Sequence, residues 1–141
     1  MNPNLTIPMA CLLAFAAWTI GLLLLGVGPY RVGKVLMGKA KSSHFPGGVL
    51  EGPDWYQRLL RAHMNCVENL PVFGALVLVG HAVGLHDGLF ATLCQVVVAA
   101  RAGQTVTHLA SGRATVINIR FAFFLTQLGC FLTLGGLILR G

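Results

Sequence analysis

The chain has 141 residues, 55% of them hydrophobic and 10% charged, with a net charge of +6 and a mean hydropathy of +0.75. A soluble domain carries about 25% charged residues, so a water-soluble globule is excluded and an integral membrane protein is expected. At about 20 apolar residues per span, the length allows four spans in a single domain, 1–141, and leaves no room for a second.

The first residues, Met1-Asn-Pro-Asn4, lack the positive n-region of a signal peptide, so the first apolar stretch is expected to remain as a span. Span one is predicted over 5–30. Pro8 falls in its first turn, where a missing N–H costs little, and Gly26, Gly28 and Pro29 read as its end. A polar connection follows over 31–56. It holds Arg31, Lys34, Lys39 and Lys41 and a Ser-, Gly- and Pro-rich stretch with His44. Asp54 is placed to cap the next helix.

Span two is predicted over 54–83. Its first half reads Arg58-Leu-Leu-Arg61-Ala-His-Met-Asn65-Cys-Val-Glu68-Asn69-Leu-Pro71 before an apolar run. Arg61, Asn65 and Glu68 are spaced i, i+4, i+7 and share one helical face, bordered by Arg58 and Asn69. At 1.5 Å per residue, Glu68 lies roughly 10 Å deeper than Arg61. A carboxylate at membrane depth costs at least about 2.5 kcal/mol, so it needs a partner, water or a ligand. Pro71 removes the donor for the Val67 carbonyl and predicts a kink or a free acceptor beside Glu68.

Span three is predicted over 89–109. Arg101, Gln104 and His108, at i, i+3, i+7, again share a face, with Thr105 at its border. Span four is predicted over 115–139, preceded by Arg113 and opening with Asn118 and Arg120. Of the ten Lys and Arg, six lie from Arg31 to Arg61 and three from Arg101 to Arg120. The positive-inside rule then puts connections 31–56 and 110–114 in the cytoplasm and both termini outside. The basic residues flank apolar segments without interleaved aromatics, so no nucleic-acid partner is expected.

Cys11, Cys66, Cys94 and Cys130 all fall in predicted helices without a CxxC pair, and are expected as buried small hydrophobes. His63 lies inside the span-two motif but off its polar face. His81 and His86 sit near the other membrane surface. No HExxH occurs, and no metal site is expected.

All four spans thus place polar groups at the cytoplasmic end, Arg31 on span one included. Two readings stay open. Glu68 could pair with Arg61 or Arg101 and clamp the bundle. Alternatively, the arginines grip carboxylates while Glu68 holds an ammonium, which suits an amino-acid or peptide ligand with two carboxylates and one amine. A small transporter would also use intramembrane charges, but no paired broken helices or inverted repeats are visible.

The segment Arg61-Ala-His-Met-Asn65-Cys-Val-Glu68-Asn69, with proline and an apolar run after it, resembles the signature of the MAPEG family, the membrane-associated proteins in eicosanoid and glutathione metabolism. The resemblance covers almost the whole chain. Pro71 and the short loops look like the bacterial branch. It implies an all-α four-helix membrane bundle assembled as a homotrimer, with glutathione as co-substrate between subunits near the cytoplasmic side. It further implies a transferase or peroxidase acting on lipophilic small molecules that arrive with the membrane lipids of a bacterial inner membrane. Arg61, Asn65 and Glu68 match the family's glutathione contacts, Arg31 is similar to a span-one contact, and Arg101 matches the arginine that opens the span-three segment.

The chain also departs from the family. Met64 stands where the enzymes often have a second arginine. Gln104 and His108 stand at the usual histidine and tyrosine positions. Ile117 and Phe121 stand where an arginine and a tyrosine surround the thiol. Arg113 or Arg120 is then expected to lower the thiol pKa, since a free thiol titrates near 8.5. A non-catalytic binding or scaffold protein of the same fold is the alternative.

Overall fold

The structure, a computed structural model, describes residues 5–39, 41, 52–110 and 114–140. His44 and Arg113 lie outside the described residues. Among the described residues, four helices are long and apolar enough to cross a membrane. They are α1 (Ile7–Leu36), α2 (Asp54–Ala82), α3 (Gly88–Ala110) and α4 (Ala114–Arg140). Large apolar side chains such as Leu25 and Leu132 point outward, 87% and 71% exposed. In water that surface would drive aggregation; in lipid it is the solvated face.

α1 begins with Pro8 in its first turn, buried. It does not end near residue 30 as expected. The Gly28-Pro29 pair is carried through by a π-helical segment, Leu23–Val27, in which the Gly28 N–H bonds to the Leu23 carbonyl five residues back. A Cβ at Gly28 would stand 2.9 Å from that carbonyl oxygen, so the wide turn closes here because the residue is glycine. The helix then runs on to Leu36. Arg31 and Lys34 therefore stand on a helix and not in the connection. Asp54 is the first helical residue of α2; Pro53 occupies the cap position and no side-chain cap bond forms. Helix α2 continues through Pro71 to Ala82. It closes with Leu85 N–H on the Gly80 carbonyl and Gly84 N–H on the His81 carbonyl, Gly84 taking φ +82°.

The core is built from facing helical stripes. Phe15 of α1, Cys66, Phe73 and Val77 of α2, Phe90, Cys94 and Val97 of α3, and Cys130, Phe131 and Leu134 of α4 are all buried. Phe73 lies between Phe15 and Phe131, with ring centroids 5.6 and 6.1 Å away. All four cysteines are free thiols, three of them buried. A smaller cluster of Val27, Tyr56, Leu59 and Leu60 joins α1 to the start of α2.

At Gly80 of α2 an added Cβ would land on the Phe90 ring of α3. Overpacking of this kind costs about 1–3 kcal/mol. Gly80→Val is accordingly expected to destabilise the bundle by that amount without touching the polar end, as read by denaturant unfolding in mixed micelles; unchanged stability would refute the close approach.

Candidate functional site

The polar groups of α2, α3 and α4 form one connected line of hydrogen bonds. Asn65 Oδ1 accepts from Asn69 Nδ2 at 3.1 Å and from Arg101 Nη1 at 3.0 Å. The same Arg101 nitrogen donates to Gln104 Oε1 at 2.8 Å. Gln104 Nε2 donates to the Arg120 carbonyl at 3.3 Å, and Gln127 Nε2 donates to Gln104 Oε1 at 3.1 Å. Arg120 Nη1 lies 3.1 Å from His108 Nδ1. A guanidinium only donates, so His108 accepts at Nδ1 and carries its proton on Nε2.

Arg101 is 2% exposed and is held by neutral partners on its Nη1 side. Its guanidinium lies over the Phe15 ring, 5.2 Å from the centroid, and its Nε and Nη2 are buried without a hydrogen-bond partner. A buried cation with unmatched donors is unfavourable, and it is tolerated where the surroundings hold it for another purpose. α1 closes the line from the other side. Trp18 Nε1 donates to Thr105 Oγ1 at 3.2 Å, and Thr105 Oγ1 donates to the Arg101 carbonyl at 3.0 Å.

The α2 face divides in two. Asn65 and Asn69 are half-buried and tied into the line. Arg61 and Glu68 are exposed, and neither forms an ion pair among the described residues. The clamp of Glu68 on Arg61 or Arg101 is therefore not formed within this chain. Arg58 is half-buried with its Nε unpartnered.

Arg31 sits apart from the line. Its Nε donates to Tyr56 Oη at 2.7 Å, and Tyr56 is stacked on Tyr30 with centroids 3.9 Å apart. His63, off the polar face, places Nδ1 3.2 Å from the Thr19 carbonyl of α1. Ile117 and Phe121 are exposed, and so lie outside the bundle interior of the chain.

Spacing alone did not single out Tyr56, Thr105 as a bridge to Trp18, or Gln127. A signal for Gln127 was present: it stands seven residues after Arg120, two helical turns along one face. A separate apolar groove of about 580 Å³ runs between α1 and the start of α2, lined by Ala14, Ala17, Trp18, Gly21, Leu22, Leu25, Gly26, Trp55 and Leu59. Trp18 is the residue common to the groove and the polar line.

Residues 8–140 match the family model described as the MAPEG family. No curated protein matches the chain. With four helices of spanning length, the match makes this an integral membrane protein.

Proposed function

The chain belongs to the MAPEG family, and from that premise we propose that it is a glutathione-dependent transferase or peroxidase acting on lipophilic electrophiles. The observation that carries the reading is the outward pair Arg61 and Glu68 beside the held Asn65. A cation and an anion that form no ion pair among the described residues are suited to a ligand carrying both charges. Glutathione has two carboxylates and one α-amine. Arg61 and Arg31 hold carboxylates, Glu68 holds the amine, and Asn65 orients the ligand beside them. Arg101 and Gln104 stand behind Asn65, and His108 stands beside Arg120. The working unit is a homotrimer in which a neighbouring subunit completes the face.

Arg120 or Arg113 supplies positive charge that stabilises the thiolate. In transfer, the thiol proton leaves to water, the thiolate forms a carbon–sulfur bond, and the electrophile's leaving group departs with its electron pair. In peroxide reduction, the thiolate takes the distal oxygen and releases an alcohol. A second glutathione then converts the sulfenic acid to glutathione disulfide and water. The groove beside Trp18 admits the apolar co-substrate from the bilayer. The positive-inside rule supports a cytoplasmic side for the connection after Leu36 and for the one before α4, with both termini outside a bacterial inner membrane.

The test is turnover in proteoliposomes with an apolar aryl halide or a lipid hydroperoxide. Glutathione-dependent product is expected, and Glu68→Gln is expected to raise the KM for glutathione about tenfold, one charge-assisted hydrogen bond being worth about 1.5–3 kcal/mol. Glutathione binding without turnover would instead support a non-catalytic scaffold, a reading favoured by Ile117 and Phe121 in place of the enzymes' arginine and tyrosine. Absence of both binding and turnover would overturn the glutathione reading.

A further inference from the structure

The middle of α4 carries one fully buried polar side chain, Gln127, with no exposed surface. Its amide nitrogen donates to Gln104 Oε1 at 3.1 Å and to the Phe123 carbonyl of its own helix at 3.0 Å. Gln104 Oε1 also receives Arg101 Nη1 at 2.8 Å. Two donors on one oxygen decide which way the Gln104 amide faces, and its nitrogen is left toward the Arg120 carbonyl. Flipping that amide would set its NH2 against two other N–H donors.

The same logic passes to α2. Arg101 Nη1 has two hydrogens, one on Gln104 and the other on Asn65 Oδ1. Asn69 Nδ2 occupies that asparagine oxygen as well. The Asn65 amide is thereby oriented, with its oxygen toward Arg101 and its NH2 turned away from it. Every member of the line is inside the bundle or half-buried, where a wrongly faced amide has little water to fall back on.

We infer that Gln127 is a positioning residue for the α2 face. It fixes Gln104, Gln104 fixes Arg101, and Arg101 presents Asn65 to the ligand as a donor. A donor at that place selects a carboxylate or a peptide carbonyl oxygen and rejects an ammonium. The identity of the ligand rests on the glutathione reading; the direction of the line rests on the hydrogen bonds alone.

Gln127→Met keeps the length and apolar fit of the side chain and removes its donor. Gln127→His keeps an N–H at comparable reach. In the full chain in detergent, Gln127→Met is expected to raise the glutathione Kd about tenfold, with kcat at saturating glutathione within about twofold of wild type. Gln127→His is expected to stay within about threefold in Kd. In the ligand-free protein, the side-chain NH2 resonances of Asn65, assigned by their loss in Asn65→Asp, are expected to shift in Gln127→Met.

A Gln127→Met Kd equal to wild type, an equal loss in both variants, or unmoved Asn65 resonances would overturn the inference. If wild type itself binds no glutathione, the glutathione reading fails, and the Asn65 resonances alone decide whether the line exists. If Gln127→Met does not fold, the Gln127→His affinity decides: retained supports the role, and lost overturns it.

Discussion

Arg61→Ala is expected to weaken glutathione binding about 30-fold and leave the unfolding temperature unchanged. Arg61 is exposed and forms no ion pair among the described residues, so the fold loses almost nothing with it. A charge-assisted bond to a carboxylate contributes about 1.5–3 kcal/mol, and each 1.4 kcal/mol is tenfold in affinity. Arg61→Lys keeps the charge but loses the two-pronged grip, so it should fall between. Titration calorimetry with thermal unfolding of the same samples separates the two effects. A fall in stability that matches the fall in affinity would mean Arg61 clamps the bundle and does not serve a ligand.

Phe73→Ala is expected to do the opposite, costing about 3–5 kcal/mol of stability. Phe73 is fully buried and meets Phe15 of α1 and Phe131 of α4, so one ring joins three helices. Inside a bilayer the loss is one of packing contacts, since lipid tails solvate an alanine face as well as a phenyl one. The effect should reach the polar end too, because Phe15 also lies under the Arg101 guanidinium. Denaturant unfolding in mixed micelles reads the first effect, and glutathione affinity reads the second. Stability within about 1 kcal/mol of wild type would show that the helices are held elsewhere.

The spans were legible because apolar runs of this length have one physical solution in lipid. The shared faces of Arg61, Asn65 and Glu68, and of Arg101 and Gln104, were legible from helical spacing, which fixes neighbours on a helix. Spacing does not fix the rotation of a helix against its partners. That is why it could not tell that Arg101 is buried while Arg61 and Glu68 face outward. Gly28-Pro29 reads as a stop, since proline removes a helical donor. The helix nevertheless continues, because Gly28 has no Cβ to keep it off the Leu23 carbonyl. Gln127 reads in the sequence as a lone amide in an apolar run, two turns from Arg120 on one face. Its role depends on what Gln104 offers across the α3–α4 contact, and no local pattern records that.

The most direct test is titration calorimetry of glutathione into the purified, detergent-solubilised protein, followed in parallel by ultraviolet thiolate absorbance. Saturable binding with a thiolate signal is expected in wild type, weakened in both Arg61→Ala and Glu68→Gln and kept in Thr133→Ala, a change at an exposed residue of α4. No heat at millimolar glutathione, or binding that survives both α2 substitutions, would contradict a ligand site on the α2 face.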